Sequence, residues 1–245
     1  MAILIDDKPA MQTGKLNPCC LGIDVGQIRD NTAIAVAEVI QKDTGKFRIT
    51  EPIQSLGHFE NGQWVAPDGI ELVMVSEYMI RHIKRLPLGT SYPDVALHIA
   101  DMLCSPLFAR RDVRVLIDVT GVGRPVYDDL KKEIGLRKEA RHVQLKPITF
   151  SHGEKYNRST GVLAKAFLVS RLQSLLQGGR VHAPDTPEVK VMLEELRVYE
   201  IKVSDDGKDT YGASIGKHDD LATSLGLACL EDPYGDRVTY SKRVY

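Results

Sequence analysis

The chain has 245 residues, 43% of them hydrophobic and 27% charged, with 20 glycines and 12 prolines; this is the profile of one soluble globular domain and excludes disorder and collagen-like repetition. No run approaches the ~18 consecutive apolar residues of a membrane helix, and Asp6, Asp7 and Lys8 come too early for a signal peptide, so a cytoplasmic protein with no membrane partner is expected. A net charge of -1 and a pI near 6.7 give no overall basic field, and any nucleic-acid contact must be local.

In chain order, residues 1–18 lack periodicity and contain Pro9, Gly14 and Pro18, which reads as a leader outside the core. The domain is expected over 19–232 and a tail over 233–245. A short apolar run from Cys19 to Ile23 ends in Asp24, a turn carries Gly26, Asp30 and Asn31, and a second apolar run covers Thr32 to Ile40: a hairpin signal. Lys46 to Phe59 predicts a third strand, followed by polar turns and a helix over about 92–108, where Val95, Ile99, Met102 and Leu103 recur at helical spacing. Val113 to Ile117 is a buried strand ending in Asp118, and Pro125 opens a helix to about Ile134. Further on, the pattern predicts a strand over 143–150, a helix over 159–176 closed by Gly178 and Gly179, a helix over 187–196, a hairpin over 197–215 and a last helix over 217–230. Neither a repeat nor a low-complexity tract interrupts this order, which predicts an α/β fold with a mixed sheet and helical crossovers. The four cysteines form no CxxC pair and read as buried thiols.

Three places carry candidate chemistry. Asp24 and Asp118 each close a strand and are followed by glycine-bearing turns, and ligands of open α/β sheets bind at the carboxyl ends of strands. Two carboxylates there repel unless a cation lies between them. Asp219 and Asp220 open the final helix after Gly216, Lys217 and His218. Hard divalent ions take carboxylate oxygens, and a pair of ions roughly 4 Å apart suits in-line displacement at a phosphodiester, so these acids suggest metal-assisted phosphodiester hydrolysis. The plainer readings are turn chemistry for Asp24 and helix capping for Asp219 or Asp220. Asp118, at the end of a strand apolar except for Arg114, has little packing purpose.

Together, the segments Leu21 to Gly26, Asp30 to Ala33, Leu116 to Pro125 and Gly216 to Ala222 resemble the nuclease domain of phage large terminase subunits. The similarity runs from about Cys19 to Leu230. It implies an RNase H-like fold, a mixed central sheet flanked by helices, and an endonuclease that cuts concatemeric viral DNA during genome packaging. It also implies Asp24, Asp118 and Asp220 as catalytic metal ligands, with Asp219 adjacent or alternative, for two Mg²⁺ or Mn²⁺ ions. His218 occupies the family's His-Asp-Asp position, to contact the scissile phosphate or to cap the helix. The implied partners are double-stranded DNA, an ATPase domain, a small terminase subunit and a portal, and the implied location is the host cell cytoplasm. Two features depart from the pattern: Thr223 stands where many relatives carry another acid, and the ATPase domain that precedes the nuclease in the family is not among these residues, so an isolated nuclease domain or a free-standing descendant is expected. The stretch from Gly212 to His218 is too short for a phosphate loop and ends in His where Ser or Thr is needed.

Candidate phosphate contacts are Lys155 and Arg158, in the loop after Ser151, His152 and Gly153, and Lys165 one turn into the next helix. Arg110, Arg111 and Arg114, and the set Lys131, Lys132, Arg137, Lys138 and Arg141, are further basic clusters, the second interleaved with Glu133 and Glu139 and so closer to a solvated face. No base-reading motif is present, so little sequence preference is expected. Three other readings compete: a Holliday-junction resolvase with the same fold and acids, a small kinase or ATPase of the actin-like fold, and a silent binding module.

Overall fold

The computed structural model describes residues 16–26, 30–49, 58–60, 63–65, 70–203, 209–213, 219–235 and 239–241. Its strands are β1 (Cys19–Asp24), β2 (Ala33–Ile49), β3 (His58–Glu60), β4 (Gln63–Val65), β5 (Ile70–Arg85), β6 (Val113–Asp118), β7 (Val143–Ser151), β8 (Tyr156–Asn157), β9 (Val162–Ala164), β10 (Val181–His182), β11 (Tyr199–Val203), β12 (Asp209–Ala213) and β13 (Thr239–Ser241). Its helices are α1 (Tyr92–Leu103), α2 (Gly123–Leu136), α3 (Lys165–Gln177), α4 (Pro187–Val198) and α5 (Asp220–Ala228). Among the described residues, one mixed sheet runs in the order β10-β5-β2-β1-β6-β7-β9-β8, with β13 on the free side of β5, and β3–β4 and β11–β12 are separate hairpins.

The period-two alternation of β1 and β2 divides the core. Leu21, Ile23, Ile34 and Val36 face one side with Val113, Val115 and Ile117, where α1 and α2 cover them through Val95, Ile99, Val126 and Leu130. Cys20, Ala33, Ala35 and Ala37 face the other side, under Leu221, Leu225 and Ala228 of α5 and residues of α3 and α4. Small side chains on that face let α5 lie close to the sheet. At Gly22 the approach is so near that a Cβ would stand 2.0 Å from the Ser224 carbonyl oxygen, which only glycine tolerates. The result is a sheet with helices on both faces, the expected architecture.

Several boundaries differ from expectation. The long strand β5 falls where polar turns were expected; Ser76, Glu77, Tyr78, Met79 and Ile80 are buried in succession between β2 and β10, so no alternation announces it. Helix α3 begins at Lys165, not 159, because the Asn157 side chain accepts from the Ser159 and Thr160 amides and Gly161 adopts φ 74°, after which β9 pairs parallel to β7. Helix α5 runs from Asp220 to Ala228 with Asp219 at its N-cap, and the expected start at 217 lies outside the described residues. The expected leader reaches into the fold: Asn17 is buried and donates from Nδ2 to Glu38 Oε1 at 3.0 Å, whereas residues 1–15 lie outside the described residues. The expected tail contributes β13, antiparallel to β5. Cys19, Cys20 and Cys229 are buried thiols, but Cys104 is only half-buried.

Candidate active site

Strand register places the two strand-end acids side by side. β1 and β6 are parallel and pair up to Ile23 opposite Ile117, so Asp24 and Asp118 follow at the same level on strands about 4.8 Å apart. Both lie on the α5 face, because Ile23 and Ile117 point to the opposite core and successive side chains alternate. The Gly22 contact then fixes where α5 starts, and its first turn delivers Asp219 and Asp220 over the same strand ends. An open cleft of about 500 Å³ results, lined by Asp24, Asp118, Thr120, Lys165, Asp219, Asp220 and Thr223 among others. A separate apolar cavity of about 200 Å³ between α3, α4 and α5 has no acid or base in its lining and holds no such chemistry.

Each acid is oriented by its neighbours. Asp118 Oδ1 accepts from the Thr120 amide at 2.7 Å, and Thr120 Oγ1 accepts from the Phe150 amide at 2.8 Å, tying the turn after β6 to β7. Gly123 closes that turn; a Cβ there would lie 1.9 Å from the Asp118 carbonyl oxygen. Lys165 donates from Nζ to Asp219 Oδ2 at 3.2 Å and lies over the Phe150 ring. Asp220 is nearly buried, and Arg85, the last residue of β5, donates to it from Nε at 2.8 Å and from Nη2 at 3.2 Å. Arg85 also pairs with Glu195 of α4. Asp219 stands at the N-cap position of α5 yet makes no side-chain cap; Glu195 Oε2 instead accepts from the Ala222 amide at 2.9 Å. The capping that was the plainer alternative reading of the acid pair is therefore done by a residue of another helix.

Removal from water raises the Asp24 carboxyl well above the usual carboxylate range, and the neighbouring Asp118, Asp219 and Asp220 raise it further against the pull of Lys165. Asp118 is raised too, by burial, with Thr120 and Lys165 opposing. These groups crowd negative charge into one cleft, which favours a cation there. The donors are all oxygen, fit for a hard divalent ion. Thr223 adds a buried hydroxyl with no hydrogen-bond partner among the described residues. Among the described residues no group of three or more His, Cys, Asp or Glu side chains is gathered closely enough to hold a metal ion. The residues fit a divalent ion, then, as an open set centred on Asp24 and Asp118.

Lys155 and Arg158 are exposed in the β7–β9 connection, while Lys165 sits in the cleft. Two of the arginines considered as phosphate contacts serve the fold: Arg111 binds Glu38 and the Asn17 carbonyl, and Arg114 binds Asp112 and the Pro233 carbonyl. Arg137 likewise bridges Glu133 and Asp101. His218 lies outside the described residues. Sequence reasoning missed Arg85 and Glu195; the signal available for Glu195 was a glutamate in register with Val189 and Met192 on the inward stripe of α4.

Fold and cleft together define an RNase H-like domain of the terminase nuclease class. Residues 93–231 match the family described as terminase RNaseH-like domain, and the chain belongs to that family. Among solved structures it is similar to the large terminase nuclease from thermophilic phage G20c, at 18% identity and a TM-score of 0.54 over 92% of this chain and 85% of that one. The same nuclease with bound cobalt gives 19% identity and a TM-score of 0.54 over 94% and 86%, and with bound magnesium 19% and 0.52 over 94% and 86%. None of the curated proteins compared matches the chain. Membership of this family answers against the actin-like reading. Among the described residues no helix is long and apolar enough to cross a membrane.

Proposed function

We propose that this chain is a metal-dependent endodeoxyribonuclease that hydrolyses phosphodiester bonds of double-stranded DNA with two Mg²⁺ or Mn²⁺ ions. The observation that carries this is the placement of Asp24 and Asp118 at one level on adjacent parallel strands, beneath a helix start that brings Asp219 and Asp220. Asp24 and Asp118 would hold the ions, and Asp219 and Asp220 would complete their surroundings. Divalent cations bound there would supply a water acidic enough to attack at neutral pH and positive charge for the leaving oxygen. Thr120 keeps the Asp118 carboxylate oriented, Lys165, paired with Asp219, would share its charge with the scissile phosphate, and Lys155 and Arg158 would track the backbone alongside. The magnesium- and cobalt-bound forms of the phage G20c nuclease support the choice of a divalent ion.

As a terminase nuclease it would act on viral DNA in the host cytoplasm, together with an ATPase domain, a small terminase subunit and a portal. The test is cleavage of supercoiled plasmid by the purified chain with Mg²⁺, with Mn²⁺ and with chelator, beside Asp118→Asn. Metal-dependent nicking or linearisation by the parent alone supports the reading, and an inert parent with either ion overturns it.

A further inference from the structure

Four carboxylates converge on the cleft, and one of them is held differently from the rest. Strand register puts Asp24 opposite Ala33 and Ala33 opposite Arg85, so Arg85 stands in the same cross-strand row as Asp24, two strands away and on the same face. From there its guanidinium reaches the Asp220 carboxylate with two nitrogens, the forked geometry that fixes a carboxylate plane as well as its position. Glu195, 6% exposed, grips the other side of Arg85 and accepts the Ala222 amide. The contacts form a closed ring: Asp220 to Arg85, Arg85 to Glu195, Glu195 to the backbone of α5, and that backbone again to Asp220. It joins the end of β5, the inner face of α4 and the first turn of α5.

We propose that Arg85 and Glu195 are positioning residues of the acidic site, holding the second acid of the Asp219–Asp220 pair and the first turn of α5 in a fixed orientation for a divalent cation. The inference rests on the metal-nuclease reading above. Two physical reasons carry it. Helix α5 has no side-chain cap of its own, so its first turn needs an outside acceptor to stay wound, and Glu195 is that acceptor. A carboxylate beside three others needs a counter-charge when no cation is present, and Arg85 supplies it without entering the space between Asp24 and Asp118. Removing either residue therefore leaves all four acids in the chain but lets one rotate away from the others.

The experiment uses the full chain and two conservative variants, Arg85→Lys, which keeps the charge and loses the fork, and Glu195→Gln, which keeps an acceptor for Ala222 and loses the charge. Mn²⁺ affinity is measured by titration calorimetry and by the Mn²⁺-induced rise in thermal midpoint, with the midpoint in chelator and the far-ultraviolet circular dichroism as folding controls. Plasmid cleavage is resolved into kcat and KM. The expected result is a folded protein whose Mn²⁺ affinity falls about 10- to 100-fold, as for other groups that orient metal ligands, with kcat reduced and KM for DNA unchanged. Parental Mn²⁺ affinity and kcat in both folded variants would overturn the proposal. A variant that unfolds in chelator but regains parental affinity at lower temperature also overturns it, by reducing the ring to a stabilising role. A parent that neither binds Mn²⁺ nor cuts DNA removes the metal-nuclease reading itself, and the inference with it.

Discussion

Gly22 of β1 lies directly beneath Ser224 of α5, with so little room that a Cβ would fall 2.0 Å from the Ser224 carbonyl oxygen and 2.4 Å from the Ala228 amide nitrogen. Both obstacles are backbone, so neither can turn aside. Gly22→Ala must lift the whole helix, at a cost of about 1–3 kcal/mol or more, and the lift carries Asp219 and Asp220 off the strand ends. Denaturant unfolding should show the loss of stability, and a plasmid assay the loss of cleavage in whatever fraction stays folded. Gly135 in α2 is the control: nothing lies within 4 Å of a Cβ there, and Gly135→Ala is expected to stabilise by roughly 0.5–1 kcal/mol.

The acidic cleft is built against its own stability. Burial and three neighbouring carboxylates raise the Asp24 carboxyl, so its ionised form is disfavoured in the folded chain. Asp24→Asn should accordingly raise the thermal midpoint in chelator at pH 8, by about 2–4 °C for each kcal/mol of repulsion relieved, while abolishing cleavage and the stabilisation by Mn²⁺. A midpoint that drops in chelator would contradict this account of the site.

Part of the acid stability is set at the other end of the sheet. Glu38, 4% exposed, loses hydration on burial, yet hydrogen bonds from Arg111, Asn17 and Arg81 outweigh that loss and hold its carboxyl below the ordinary 4.5. A carboxyl depressed on folding contributes stability that is present above the unfolded value and lost as pH falls through the folded one. Unfolding midpoints should therefore fall steeply below pH 4.5 in the parent and less steeply in Glu38→Gln, which starts from a lower midpoint at neutral pH.

Basic residues should separate by role. Lys155 and Arg158 are exposed, so Lys155→Ala with Arg158→Ala is expected to weaken DNA binding and to reduce the slope of log affinity against log salt by about 1 for each residue. Lys155→Ala alone should leave the thermal midpoint close to the parent's. Arg111→Ala should do the reverse, because it strips Glu38 of a partner at 2.8 Å, leaving DNA affinity of the folded fraction unchanged.

What could be read from the sequence followed from how local each signal is. Asp24 and Asp118 were legible because each ends a short apolar run at a glycine-bearing turn, and β1, β6, β7 and α4 stand close to where their periodicities predict them. Strand β5 was not, since residues 76–80 are buried on both faces and include Glu77, which draws its partners His182 and Lys42 from other strands. The start of α3 was misplaced because the apolar residues of β9 continue the helical stripe across a turn set by Asn157 and Gly161. Arg85 was invisible for the same reason that it matters, since its meaning lies in a register between β2 and β5 that leaves no mark in the neighbouring residues, and Glu195 showed only as an acid on the inward stripe of α4, without its partners. The exchange of capping duty from Asp219 to Glu195 belongs to this group.

The cleft draws its acids from β1, near the beginning of the described fold, and from α5, near its end, with Arg85 and Lys165 from between. Among the described residues, most of the sheet and all the helices but α5 precede Asp219 and Asp220 in the chain. A growing chain can pair β1 with β2 and β6 and bury most of its apolar surface while Asp24 and Asp118 still lack the helix above them. Synthesis itself thus orders the assembly: β1 and β6 can pair before the acids of α5 exist to stand over their ends.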